Sequence, residues 1–478
     1  MENRNKQDPG KSSRMRRNLF RMIPPLKAFV RMRSFQFIAV FPGLALLYFF
    51  LIAGLYGSPV GNRNIIIIIV WILWWFLLIT LMVPLLSRFW CILCPIPFFG
   101  DWLQRRSLVM VRPGKTGNTR NAMFGLNKRW PKRLSNLWLQ NAGFLCLATI
   151  FVVLATRPVV SAVVIGGMVI LATVIAGVYQ RRSFCRYLCP VGGFLGVYSM
   201  SSAVELRSVD PDVCERCRTK NCSTGSEKGW ACPWFLSVST LDRNNFCGLC
   251  MECVKSCPSD NVGLYVRPLF SDRRLIGLDE VWKACIMLAL ALLYSVVLLG
   301  PWGFLRDWAN VTATGDWRGF LLYAALVWGS GLAVVPGLWW LTAYLSHRMD
   351  PTGSAGWKQL FVAYAFVLVP LGLGGWMAFS LPLIAVNGSY ILSVISDPLG
   401  RGWDLFGTAS IPWSPVYPHK VVWLQMVIVI AALGFSLDSG RRICRGLFGG
   451  SRKALRTLIP VAVFCTAAAA VFLMCFGG

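Results

Sequence analysis

At 478 residues the chain is long enough for two or three soluble domains, but 56% hydrophobic residues against 14% charged ones exclude an ordinary soluble protein. The net charge of +28 would suggest nucleic acid on a soluble domain. Here the basic residues sit in tails and loops, where they act as topology signals and contacts to anionic lipid, so a nucleic-acid partner is not expected.

From 1 to 34 the chain is a basic tail (Arg14, Arg16, Arg17, Arg21, Lys27, Arg31, Arg33) with no cleavable signal ahead of the first apolar run at 35–56. About 20 apolar residues cross a bilayer as a helix. Runs at 35–56, 65–86, 137–156, 159–180, 281–301, 319–345, 358–384, 420–437 and 457–476 meet that requirement. The expectation is an α-helical polytopic membrane protein with about nine transmembrane helices. It divides into the tail, a four-helix core over 35–200, a small α+β insert over 201–280 and a five-helix domain over 281–478.

Lys and Arg crowd the tail, the 87–136 loop, the insert and the 438–456 loop (Arg441, Arg442, Arg445, Arg452, Lys453, Arg456). The positive-inside rule places these and the 346–357 loop in the cytoplasm, which makes the chain a multi-pass protein of the inner membrane. The long 385–419 loop then lies outside; rich in Gly, Pro and aromatic residues, it suits an ordered cap or docking surface.

Seventeen cysteines would suggest disulfides in an extracellular protein, but twelve fall in strings with metal-ligand spacing, as in a reducing compartment. In CGLCMECVKSCP, Cys247, Cys250, Cys253 and Cys257 follow C-x2-C-x2-C-x3-C-P, the bacterial ferredoxin run. Three thiolates on a tight loop reach three corners of one cubane, and the fourth points to a neighbouring cluster. A zinc site is the alternative, but it needs only two such pairs. Upstream, Cys214, Cys217, Cys222 and Cys232 in CERCRTKNCSTGSEKGWACP complete a two-cluster pattern. One 4Fe-4S cluster is expected on Cys214, Cys217, Cys222 and Cys257, the other on Cys232, Cys247, Cys250 and Cys253. So small an insert needs metal for much of its folding free energy.

Two further strings, RFWCILCPIPFFG and SFCRYLCPVGGFLG, each follow a membrane helix and form a weak internal repeat. Their cysteines, Cys91, Cys94, Cys185 and Cys189, are expected to meet near the cytoplasmic surface. There they could hold a third cluster or another thiophilic metal, form a reversible disulfide, or remain inert packing. Neighbouring Arg88, Arg181, Arg182 and Arg186 would offset thiolate charge or anchor at the interface. Cys146, Cys285, Cys444, Cys465 and Cys475 are isolated packing residues, and His347 and His419 fall on opposite faces, which argues against a bis-histidine haem.

The strings RRSFCRYLCPVGGFLG, CERCRTKNC and CGLCMECVKSCP, in that order after paired membrane helices, resemble the NapH/NosR type of membrane polyferredoxin over about 35–270. The resemblance implies two cytoplasmic 4Fe-4S ferredoxin clusters and electron supply to, or maturation of, periplasmic reductases. The chain departs from the family in its first motif, C-x2-C-P rather than C-x3-C-P, in having no flavin-binding domain before the first helix, and in its last five helices.

The function expected is transfer of electrons from a cytoplasmic or quinol donor to a membrane or extracytoplasmic acceptor, with redox proteins, a reductase or a quinone system as partners. Such a chain is a component of an oxidoreductase system rather than an enzyme with its own substrate. An accessory, maturation or redox-sensing protein of a respiratory metalloenzyme is one alternative. A redox-regulated transporter is another, against which the helices after Glu280 contain almost no ionisable residues.

Overall fold

The computed structural model describes residues 16–351, 353, 355–415, 418–449 and 453–477. Arg14, Tyr417 and Arg452 lie outside the described residues, as do the side chains of His419 and Lys453.

Among the described residues eight helices are long and apolar enough to cross a membrane: Phe35–Tyr56, Ile66–Leu86, Pro158–Val178, Leu278–Leu299, Trp317–Arg348, Trp357–Asn387, Lys420–Leu447 and Ala454–Gly477. The chain is a multi-pass membrane protein. The run expected at 137–156 is instead two pieces, Trp138–Thr149 and Phe151–Leu154, broken at Ile150 with φ −90° and ψ 1°. Thr149 sits at that break, its hydroxyl donating back to the Leu145 carbonyl at 2.8 Å and accepting from Trp328 Nε1 at 3.0 Å.

The helices Leu278–Leu299 and Trp357–Asn387 form the centre, 78% and 83% of their most apolar stretches being buried against 22–44% for the other spans. Around them, Trp376 packs edge-on against Trp75 and Phe194, both at 5.7 Å between ring centroids, and against Tyr294 at 5.5 Å. One continuous core therefore joins the first four expected helices, the insert and the last five.

The insert is built on strands β4 (Val204–Ser208) and β5 (Val262–Val266), antiparallel with Leu206 opposite Leu264. Both cysteine strings lie between them. The described end of the tail adds a third strand, β1 (Arg17–Asn18), pairing Arg17 with Val266. Helix Pro24–Arg31 then places Lys27 and Arg31 on Asp260.

The 87–136 loop carries a hairpin of β2 (Pro113–Thr116) and β3 (Thr119–Asn121). Asn121 Oδ1 accepts from the Ala231 amide at 2.8 Å, and Asn121 Nδ2 donates to the Ser226 carbonyl at 3.0 Å. Tail, 87–136 loop and insert thus share one face. On the other face the 388–415 segment is folded against the 57–65 turn: the Ser58 amide donates to Leu399 O at 2.7 Å and Arg401 to Tyr56 O at 2.7 Å.

Candidate iron-sulfur site

All seventeen cysteines are free thiols. Eight of them surround two adjacent cavities. Cys214, Cys217, Cys222 and Cys257 line the first, so the last cysteine of the second string has crossed to the first. Cys232, Cys247, Cys250 and Cys253 line the second. Cys222, Ser237 and Val238 border both, so the cavities share a wall.

Local backbone shapes these cups. Asp210 caps the helix Pro211–Arg216 by accepting from the Asp212 amide at 2.9 Å, with Pro211 pre-set for the first turn. Leu249 and Met251, with φ of 51° and 62°, and Phe235, with φ of 59°, adopt the left-handed region that non-glycine residues avoid. Such strain persists only where surrounding structure imposes it. Gly248 is obligatory here: a Cβ would lie 2.1 Å from Trp234 Nε1, on a fully buried indole.

The strained loops turn amide N–H groups toward sulfur. Cys247 receives the Leu249 amide, Cys250 that of Glu252, Cys232 those of Trp234 and Leu236, and Cys217 those of Thr219 and Lys220. At the first cavity Asn261 spans both strings. Its backbone N–H donates to Cys257 Sγ and its Nδ2 to Cys214 Sγ, each at 3.3 Å, while Oδ1 accepts from the Asp210 amide at 2.8 Å.

Four sulfurs facing one void, three of them in each set receiving amide N–H bonds, are a donor set suited to thiolates that share a cluster. Among the described residues, no three His, Cys, Asp or Glu side chains gather tightly enough for a single metal ion. Burial pushes the Cys250 thiol up to about 12 and those of Cys232 and Cys247 to about 11. Cys217 goes the other way, held below the usual thiol range by the Thr219 hydroxyl and the Lys220 amide.

The four membrane-side thiols also come together, since all six pairs among Cys91, Cys94, Cys185 and Cys189 interact electrostatically. Each string is bent at its last cysteine. Cys94 is extended ahead of Pro95, its sulfur receiving the Ile96 amide. Cys189 caps the helix Pro190–Ser199, its sulfur 3.3 Å from the Gly192 amide. Burial pushes Cys94 up to about 12 and Cys189 to about 11.

Arginines act on both these thiols and those of the second cavity. Arg182 donates to Cys91 O at 2.8 Å and pairs with Asp101 at 2.5 Å, and it interacts electrostatically with both Cys185 and Cys250. Burial opposes ionisation of Asp101, yet Arg182 and Arg105 hold its carboxyl below the usual range. Arg181 donates to Cys232 O at 3.0 Å, and Arg186 lies 3.5 Å from the Phe246 ring centroid. Arg88 and Arg181 are 2% and 6% exposed, which separates them from lipid-facing anchors. Asn261, the bridging residue, carried no sequence signal beyond its place four residues after Cys257.

The comparisons agree with an iron-sulfur chemistry. The family described as a 4Fe-4S binding domain matches residues 67–117 and 161–204. Those segments contain Cys91, Cys94, Cys185 and Cys189 but none of the eight insert cysteines. "Putative electron transport protein YccM" of Escherichia coli strain K12 is 34% identical over 18% of this chain and 22% of its own length. "Uncharacterized protein MJ0750" of Methanocaldococcus jannaschii is 29% identical over 17% of this chain and 30% of its own. The chain thus spans between a fifth and a third of these curated relatives. No solved structure matches it.

Proposed function

We propose that the chain is a membrane-embedded iron-sulfur electron-transfer protein of the NapH/NosR polyferredoxin type. In this reading Cys214, Cys217, Cys222 and Cys257 hold one 4Fe-4S cluster, and Cys232, Cys247, Cys250 and Cys253 hold a second. Cys91, Cys94, Cys185 and Cys189 hold a third thiolate-bound centre. The observation that carries it is the sorting of eight cysteines into two crossed sets of four around adjoining cavities. Each cluster, when bound, supplies a one-electron carrier whose potential depends on charge and hydrogen bonding around the sulfurs.

The protein's own residues divide the labour. Cys217, half-buried beside the first cavity, faces the aqueous side, where a redox partner protein would exchange electrons. The shared wall at Cys222 leads to the second cavity, and Arg182 acts electrostatically both on Cys250 of that cavity and on Cys185 of the membrane-side thiols. This order points from the aqueous face toward the membrane, with a quinone or an extracytoplasmic reductase as the acceptor class. The concentration of Lys and Arg on the insert's face supports a cytoplasmic position for that face at an inner membrane.

Serine replacements test the crossed assignment in anaerobically purified full-length chain. Cys257→Ser and Cys217→Ser are expected to abolish the same EPR signal, leaving intact the one lost in Cys250→Ser. Loss of the Cys250-dependent signal in Cys257→Ser would overturn the assignment.

A further inference from the structure

The central helix Leu278–Leu299 carries a lysine, Lys283, that is 0% exposed. An ammonium has three donors to satisfy. Among the described residues its one hydrogen-bond acceptor is the Gln140 carbonyl at 3.4 Å, and the Phe144 ring centroid lies 4.6 Å away. Among the described residues no carboxylate pairs with it. The ionisable group that acts on it electrostatically is the Cys189 thiol. Gly193 leaves the slot for this side chain, since a Cβ there would sit 3.1 Å from Lys283 Cε and 3.0 Å from Gln140 Oε1.

A second cation acts on the same cysteine. Arg88 Nη1 donates to Asn245 O at 2.7 Å and its guanidinium lies 4.6 Å from the Trp234 ring centroid, while Nε and Nη2 have no hydrogen-bond partner among the described residues. It interacts electrostatically with Cys189 and with Cys247 of the second cavity. A buried, unpaired charge is costly, and two of them beside one sulfur are tolerable where negative charge is held between them.

We propose that Lys283 and Arg88 are the counter-cations of an anionic thiolate centre on Cys91, Cys94, Cys185 and Cys189. Lys283 acts on that centre alone, and Arg88 acts on it and on the second insert cavity together. Both are positioning residues, and through Lys283 the C-terminal helices complete a site whose cysteines all lie before residue 190. This rests on the reading that the four thiols hold a metal centre.

The test compares full-length wild type with Lys283→Met, Lys283→Arg, Arg88→Gln and Cys189→Ser, all purified anaerobically, by iron content and redox-titrated EPR. Reduction adds negative charge, so loss of a neighbouring cation disfavours the reduced state. At a fixed ambient potential Lys283→Met is expected to lower the reduced-to-oxidised ratio of the Cys189-dependent centre about tenfold, or ~59 mV for one electron. Lys283→Arg should stay within about twofold of wild type, with both insert clusters unmoved in either variant. Arg88→Gln should shift the Cys189-dependent centre and the Cys250-dependent cluster together. Lys283→Gln, which keeps a donor for Gln140 without the charge, replaces Lys283→Met should the latter fail to accumulate. A neutral variant with an unshifted centre that Cys189→Ser abolishes would defeat the counter-cation role alone. Cys189→Ser with wild-type iron and potentials would remove the metal-centre reading and this proposal with it.

Discussion

Asn261→Ala removes one hydrogen bond to a cysteine sulfur of the first cavity without replacing any cysteine. The Asn261 side chain donates to Cys214 Sγ at 3.3 Å and to the Asp210 carbonyl at 2.5 Å, and accepts from the Asp210 amide at 2.8 Å. The backbone bond to Cys257 Sγ survives the substitution. Hydrogen bonds to charged acceptors contribute about 1.5–3 kcal/mol. The bond to sulfur strengthens as the cluster gains an electron, so its loss penalises the reduced form. If the difference between the two redox states is about 1.4 kcal/mol, the first-cavity cluster becomes more negative by roughly 60 mV for one electron. The two lost bonds to Asp210, about 1 kcal/mol each, loosen the strand end without emptying the cavity. Redox-titrated EPR is the assay. A first cluster that stays at its wild-type potential, or a shift confined to the Cys250-dependent cluster, would refute the assignment of Asn261 to the first cavity.

Gly248→Val should abolish the second-cavity cluster, since its Cβ overlaps the buried Trp234 indole, whereas Gly167→Ala, in open space, should leave iron content unchanged. A phosphatase fusion at Ser226 should be inactive and one at Trp403 active; activity at Ser226 would reverse the topology.

The sorting of the insert cysteines into two sets was legible in their spacing: three of the second string lie within seven residues, and the longer step before Cys257 matches its place at the first cavity. The spans were legible through length and apolarity. The break at Ile150 was not, because it accompanies a contact between Thr149 and Trp328, far apart in the sequence. Charge was the least legible feature. Arg88 stands in a basic loop, where composition cannot tell a lipid anchor from a guanidinium turned inward onto Trp234. Lys283 falls at the edge of an apolar run and reads as a helix end until packing against Gln140 and Gly193 buries it. Arg17 and Asn18, expected in a simple basic tail, gain their role only when Val266 offers an open strand edge.

Iron and acid-labile sulfide in anaerobically purified full-length chain test the central claim most directly. The account predicts at least two cubanes, about eight irons with matching sulfide, and a loss of about four irons in Cys250→Ser. Zinc in place of iron, with no acid-labile sulfide, would contradict it.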